Sequence, residues 1–165
     1  MKKLGVLSVL LALAPPVLAG PSGIDLHNYW DQRCKECHGH SSEFARRHLR
    51  VEDGQLLGVH HRSDLDVFMS NHYLADDLLA PVSAMLMAQV TTPPLFRERC
   101  SGCHGSAAAF ARKSLTLRDG VLVGNASGRK VADYLASHGG LAPGEVPIVV
   151  DSLTRTRIEV STESK

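Results

Sequence analysis

Aromatic residues and excess charge of either sign are both scarce in this chain of 165 residues. Phe, Trp and Tyr make up 5% of the sequence, and the formal net charge at pH 7 is +1. A near-neutral balance gives no reason to expect nucleic acid or an anionic membrane surface as a partner. The function must therefore be sought in particular residues rather than in bulk charge.

The chain also lacks a hydrophobic run long enough for a membrane span. Its apolar N-terminal run, 4–13, follows a basic start, is interrupted by Pro15 and Pro16, and leads to small residues that end at Ala19. A run of this length is too short to cross a bilayer. The order of basic, apolar and small residues is typical of a secretory signal peptide, which we assign to 1–19. We expect a mature chain that is periplasmic or otherwise exported and has no membrane span.

No cysteine lies outside two short motifs. Cys34-Lys35-Glu36-Cys37-His38 and Cys100-Ser101-Gly102-Cys103-His104 contain all four cysteines of the chain. In a Cys-x-x-Cys-His motif, two thiols can form thioethers with the two vinyl groups of one porphyrin while the adjacent imidazole faces the iron. The motifs predict two covalently attached haem c groups, and the attachment residues are Cys34, Cys37, His38, Cys100, Cys103 and His104.

Two other uses of these four cysteines stay open on the sequence alone. Paired Cys-x-x-Cys motifs are a common zinc ligand set, but compact zinc ribbons separate them by roughly 15 to 20 residues. Here the gap runs from Cys37 to Cys100. Two disulfides are the other alternative. Neither alternative explains why a histidine follows each pair of cysteines.

The sequence repeats itself with a shift of 66 residues. This shift places Cys34 on Cys100 and keeps many positions in register as far as His72 on His138. Such a repeat predicts two similar structural units in tandem. Each unit is too small to bury a large core without help, and a haem would complete it.

The repeat also predicts the fold class and the division of the chain. Each copy has helical segments around its motif and an Asp-Gly pair between short apolar segments, which favours a β-hairpin with a type I′ turn. We expect a mainly α fold with two haem domains, 20–92 and 93–158, each with a small β-hairpin. Residues 159–165 are expected to form a polar tail.

A second histidine in each copy is a candidate for the other axial position of the iron. Leu65, Phe68, Met69 and His72 are spaced along one face of a helix, and the corresponding residues that end at His138 repeat this stripe. A histidine on an apolar helix face needs a partner. We predict His38, His72, His104 and His138 as metal ligands. The alternatives for His72 and His138 are a core histidine bonded to a carbonyl and a surface histidine at a fraying helix end.

Methionine, the usual competitor for this position, does not occur after Met87. The second haem therefore cannot take a methionine from its own copy, which leaves His138, an open site or a ligand from the first copy. Met85 or Met87 stays open as an alternative to His72 for the first haem.

On these motifs the chain resembles the tandem dihaem c-type cytochromes, such as the cytochrome c4 group. The resemblance covers nearly all of the mature chain, and its specific part is the pair of haem motifs. It implies cytochrome c-like domains side by side and one-electron transfer in the periplasm. That group uses histidine and methionine on each iron, so His72 and His138 would depart from it. A second imidazole favours ferric iron, and we therefore expect lower-potential haems.

The function expected from the sequence is a soluble electron carrier between redox partner proteins, without catalytic residues. One alternative is a haem enzyme or small-ligand sensor in which one iron has an open position for a molecule such as peroxide or nitric oxide. Another is an electron-transfer subunit of a respiratory or dehydrogenase complex, and an exposed apolar patch along 78–90 would favour it.

Overall fold

The computed structural model describes residues 23–61 and 63–161 of the chain. The expected signal peptide at 1–19 lies outside them. Helices dominate the described part, and two short hairpins are the β-structure expected from the sequence. The mainly α class and the two hairpins are therefore confirmed.

The same order of elements occurs twice along the chain. Each copy has two short helices around the Cys-x-x-Cys-His motif, then a third helix, a hairpin, another short helix and a long helix. The first copy consists of α1 (Leu26–Arg33), α2 (Lys35–His38), α3 (Ser41–His48), β1 (Leu49–Glu52), β2 (Gln55–Gly58), α4 (Leu65–Ser70) and α5 (Asp76–Thr91). The second copy consists of α6 (Leu95–Arg99), α7 (Ser101–His104), α8 (Ala107–Ser114), β3 (Leu115–Arg118), β4 (Val121–Gly124), α9 (Val131–Leu135) and α10 (Glu145–Glu159).

The hairpins owe their geometry to the Asp-Gly pairs. Both central residues of a type I′ turn need a positive φ, which glycine and aspartate accept more readily than most residues. Asp53 and Gly54 have φ of 50° and 74°, and Asp119 and Gly120 have φ of 51° and 76°. The strands pair antiparallel on either side, with Glu52 opposite Gln55 in the first copy.

Each copy has its own apolar core. Trp30 and Phe96 occupy the same position in the repeat, and each is more than 90% buried. Both cores are completed by the long last helix of their copy, α5 or α10. The buried apolar residues of the first core are Leu26, Trp30, Ala45, Leu49, Leu56, Leu65, Leu78, Val82, Met85 and Leu86. Those of the second are Phe96, Ala108, Ala111, Leu115, Leu122, Val131, Leu135, Val149, Leu153 and Val160.

Two features of this packing bear on the sequence analysis. The segment 78–90 lies in α5, and Leu78, Val82 and Met85 face the first core, so the exposed apolar patch that would favour a subunit of a larger complex is largely buried. Glu159 belongs to α10, and Val160 is 5% exposed in the second core. The polar tail therefore begins later than residue 159.

The two copies contact each other through α1 and its neighbours. Arg112 of α8 donates to Asp25, the residue that caps α1, with an Nη2–Oδ1 distance of 2.8 Å. His27 of α1 contacts Glu159 at the end of α10, with 2.8 Å between Nε2 and Oε2. A cavity of about 500 Å³ with mixed polar and apolar walls lies between the copies, with Arg46 among its lining residues. Within the described ranges, no helix is long and apolar enough to cross a membrane.

Candidate functional site

Each Cys-x-x-Cys-His motif forms a single helical turn after a preceding helix. The N–H of His38 donates to the carbonyl of Cys34 at 2.9 Å, and the N–H of His104 donates to that of Cys100 at 3.0 Å. Residues three apart on a helix share a face. The turn therefore brings the two thiols of each motif to one side, which is the arrangement that attachment of one ligand at two points requires.

Glycine ends both turns. Gly39 has φ of 69° and ψ of −157°, and Gly105 has φ of 69° and ψ of −146°. Residues other than glycine rarely adopt this region, at a cost of about 1 to 3 kcal/mol. In the first copy the indole N–H of Trp30 donates to the carbonyl of Gly39 at 2.9 Å, which fixes the end of the motif to α1.

The four cysteines are free thiols divided between the two cores. Cys34 packs against the first core and Cys100 against the second, while Cys37 and Cys103 are exposed. Burial raises the pKa of the Cys34 and Cys100 thiols. In the described part of the chain, no three His, Cys, Asp or Glu side chains are grouped so that they could hold a metal ion. A zinc site needs its thiolates in one place, whereas here the two motifs pack on separate cores.

The motif histidines are held by a phenylalanine from the following helix. The ring centroids of His38 and Phe44 are 4.7 Å apart, and those of His104 and Phe110 are 4.6 Å apart. Burial lowers the pKa of His38, and the nearby His72 and His48 lower it further. A lower pKa favours the neutral imidazole, which is the form that binds a metal.

Each motif histidine lies near the second histidine predicted from the repeat. The ring centroids of His38 and His72 are 5.9 Å apart, with 68° between the ring planes. Those of His104 and His138 are 6.1 Å apart, with 65° between the planes. Two imidazoles that bind one metal from opposite sides at about 2 Å have ring centroids about 6 Å apart. Both pairs therefore have the spacing of two axial ligands.

The backbone around the second histidines differs from the expected helix face. Helix α4 ends at Ser70 and α9 at Leu135, so His72 and His138 lie in the turns that follow. Both side chains belong to exposed residues. Residues with positive φ come next, Tyr73 at 59° and Gly139 at 83°, and they turn the chain away from the helix direction.

An aromatic ring on the preceding helix stacks on each of these histidines. Phe68 stacks on His72 with centroids 4.8 Å apart, and Tyr134 stacks on His138 at 4.5 Å. The sequence placed Phe68 and Tyr134 on an apolar face toward the core, but they are 37% and 43% exposed. Their shared position in the two copies was the signal that could have revealed this role.

The predicted haem residues of the second copy line a largely apolar cavity of about 450 Å³. Both cysteines of the second motif line it, together with His104 and His138. Cavities that bind cofactors span about 300 to 1,000 Å³ and combine an apolar wall with a few polar groups. The donor set, the spacing of the histidines and the apolar lining all fit a haem. The apolar walls come from Phe96, Phe110, Leu115, Val131, Leu135, Val149 and Leu153.

The methionine alternatives for the first copy lie in helix α5. Met85 is 1% exposed within the first core, and Met87 is half-buried against the same core. His72 instead lies opposite His38. This placement favours His72 over either methionine as the partner of His38.

Comparisons with known proteins gave no match that bears on this site. No family model, no curated protein and no solved structure matches the chain. The assignment of the site depends on the two motifs, the two opposed histidine pairs and the cavity of the second copy.

Proposed function

We propose that the protein is an exported dihaem c-type cytochrome that carries single electrons between redox partner proteins. The main support is that each copy opposes its motif histidine to a second histidine at nearly the same distance, 5.9 Å in one copy and 6.1 Å in the other. In both copies the centroid spacing is close to the roughly 6 Å expected for two imidazoles on one metal. The resemblance to tandem dihaem cytochromes points to the same function.

The residues of each copy would hold one haem. Cys34 and Cys37 would form the two thioethers of the first, with His38 and His72 on its iron. The second copy would use Cys100, Cys103, His104 and His138 in the same roles. Bound haem would supply the reversible one-electron chemistry of its iron, and a second imidazole ligand would lower its potential relative to a thioether.

The stacked rings support a carrier rather than an enzyme. Phe68 and Tyr134 restrict the rotation of His72 and His138, because an offset or tilted aromatic pair has a preferred geometry. A histidine held in this way keeps its place opposite the motif histidine. If His72 and His138 each held an iron together with the motif histidine of their copy, no position would be left for peroxide or nitric oxide, and this arrangement would disfavour the enzyme and sensor alternatives.

The contacts between the copies also suit electron transfer within one chain. The Asp25–Arg112 pair and the His27–Glu159 contact join α1 to α8 and α10. These contacts would limit the movement of one copy relative to the other. Limited movement would keep the separation of the two sites, and with it the rate of electron transfer between them, within a narrow range.

Haem content is the first test of this proposal. The full chain, expressed with a c-type haem maturation system, should contain two covalent haems per chain by mass and by pyridine haemochrome absorption. The Cys100→Ala/Cys103→Ala variant should retain one haem, in the first copy. A wild-type chain that matures without haem, or with one, would contradict the proposal.

Ligation is tested by removing one distal histidine. His138→Ala should make the second haem high-spin and open it to carbon monoxide, because the opposed imidazole is lost. His60→Ala is the matched control, since His60 is exposed and has no histidine at the equivalent position of the other copy. An unchanged low-spin spectrum in His138→Ala would show that this ligand assignment is wrong.

A further inference from the structure

The surface around His72 combines exposed apolar side chains with carboxylates. Tyr73 is 94% exposed, Val67 is 65% exposed and Phe68 is 37% exposed, although all three are large apolar or aromatic residues. Aspartates on α4, at its start and at the start of α5 lie within a few residues of them in the chain, and all are exposed. We call this surface the His72 face, and it consists of Asp64, Asp66, Val67, Phe68, Tyr73, Asp76 and Asp77.

The equivalent surface of the second copy has different charges. The shift of 66 residues places Asp64 on Lys130 and Asp66 on Ala132. Arg129 lies beside Lys130 and covers the ring of Tyr134, with 5.3 Å from its guanidinium carbon to the ring centroid. The carboxylates of the His72 face are therefore not a requirement of the fold, because the second copy forms the same elements without them.

The charge of the His72 face is predominantly negative over its whole sequence segment. Residues 60–77 contain four aspartates and one cation, Arg62, which lies outside the described residues. The equivalent segment 126–143 contains two cations and one aspartate, Asp133. The two sequence segments that carry the exposed histidines His72 and His138 thus differ in the sign of their charge.

Tyr73 adds a second difference between the copies. Its φ of 59° is in the left-handed region, where Gly139 has φ of 83° in the second copy. A bulky residue in this conformation costs about 1 kcal/mol or more. With 94% of its surface exposed, Tyr73 recovers little of this cost by packing within the chain. A tyrosine thus occupies a position where a glycine would fit the backbone better, and its ring contacts that of His72, with 5.4 Å between the centroids.

We propose that the His72 face is the docking surface for a redox partner protein whose own docking surface is basic. This inference rests on the proposed function, since it assigns a partner to the haem of the first copy. The aspartates would attract the partner and orient it, and the exposed apolar side chains would form the contact. Charged rims of this kind raise the association rate by about ten- to a thousandfold at low salt.

Charge complementarity identifies the class of partner. A basic partner meets four carboxylates at the edge of the His72 face, whereas an acidic partner would be repelled by them. A second copy of the chain would offer a mixed surface, with Asp133 beside Arg129 and Lys130, and complements the aspartates less well. The face therefore favours a different, basic protein.

Binding of a basic probe protein tests this proposal without electron transfer. The ferric holoprotein is titrated with a ferric basic cytochrome c, and an acidic plastocyanin serves as the probe of opposite charge. The basic probe should bind at low salt, and its affinity should fall steeply as salt is added. If the basic probe does not bind, or binds no better than the acidic one, the proposal is wrong.

Substituting residues of the second copy into the first tests whether the probe binds at the His72 face. Asp64→Lys/Asp66→Ala introduces the residues of the equivalent positions, which the same fold already accepts, and should weaken binding of the basic probe about tenfold or more. Asp133→Lys/Asp151→Ala is the matched control, since it makes the same change in net charge at exposed positions of the second copy. It should change the affinity less than about threefold. An equal loss in both variants would overturn the proposal.

Tyr73→Gly tests the apolar contact apart from the electrostatic attraction. It should weaken binding of the basic probe at both low and high salt, because it removes contact area and leaves every charge in place. Analytical ultracentrifugation of the wild type alone tests whether a second copy of the chain binds the His72 face instead. If the chain alone forms dimers that Asp64→Lys/Asp66→Ala dissociates, a second copy occupies the His72 face and the proposal is wrong.

The outcome for the docking surface can be distinguished from that for the proposed function. Haem content and the spin state of both irons are measured on every variant before titration. A wild type without two haems refutes the proposed function. Two intact low-spin haems, together with binding that the variants do not change, refute the docking surface alone.

Discussion

The Asp25–Arg112 pair should contribute measurable stability because it joins the two copies of the repeat. Arg112 donates from Nη2 to Oδ1 and from Nε to Oδ2, so both oxygens of the carboxylate are used. The side chain of Asp25 is 12% exposed and that of Arg112 is 36% exposed. The pair is thus neither fully solvated nor fully buried.

The free energy that the Asp25–Arg112 pair contributes to folding should lie between those of two known kinds of interaction. Exposed ion pairs contribute about 0.2 to 1 kcal/mol, and hydrogen bonds to charged groups about 1.5 to 3 kcal/mol. Because solvent screens Arg112 in part, we expect a coupling free energy of about 1.5 kcal/mol between the two side chains. Asp25→Asn and Arg112→Gln should each lower the free energy of unfolding by about this amount.

A double-mutant cycle on the haem-loaded chain measures the coupling. Asn also caps helices well, so Asp25→Asn should keep the bond that Asp25 accepts from the N–H of Asn28 at 2.8 Å. Urea unfolding of the wild type, the two single variants and the double variant gives the coupling free energy. If the two single effects add with no coupling, the reasoning is refuted.

The pH dependence of the same variants gives an independent check. Burial alone would raise the pKa of Asp25, but the hydrogen bonds from Arg112 and from the N–H of Asn28 outweigh it and lower the pKa below its ordinary value. The pair therefore makes its full contribution to the free energy of unfolding above about pH 4, the usual pKa of an unfolded aspartate. This contribution is lost as the pH falls through the lower pKa that Asp25 has in the folded protein. The stability difference between wild type and Arg112→Gln should be constant near neutral pH and should shrink in acid.

Three further predictions concern the core, a turn and a stacked ring. Met85→Ala should lower the free energy of unfolding by about 2 to 5 kcal/mol in denaturant, because Met85 is 1% exposed, and should leave the spectra of both haems unchanged. Gly120→Ala should cost about 1 kcal/mol by urea unfolding, since its φ is 76° while an added Cβ would meet no atom within 4 Å. Tyr134→Ala should speed cyanide binding to the second haem in stopped flow, because His138 loses its stacked ring.

Local chemistry explains why much of the fold could be predicted from the sequence. The Asp-Gly pairs determine the hairpin turns, and Asp53 and Asp119 both have the positive φ that this turn requires. The motif cysteines and histidines are adjacent in sequence, so their helical turn follows from spacing alone. The repeat predicts His72 and His138 as the second ligands, because no other histidine outside the motifs has a counterpart in the other copy.

The remaining features depend on contacts that spacing does not encode. The stripe that ends at His72 predicts a continuous helix, but α4 ends at Ser70 and Tyr73 turns the chain with a positive φ. The Asp25–Arg112 pair joins residues 87 positions apart. The apolar segment 78–90 is suitable for a docking patch or for a core, and only the packing of α5 against the first core decides between them.

Electron paramagnetic resonance of the purified ferric protein, combined with near-infrared magnetic circular dichroism, tests the central claim most directly. The pairs His38–His72 and His104–His138 predict two low-spin signals typical of iron between two imidazoles. A high-spin component would mean that at least one iron lacks its second histidine. A methionine-to-iron signature would contradict the assignment of His72.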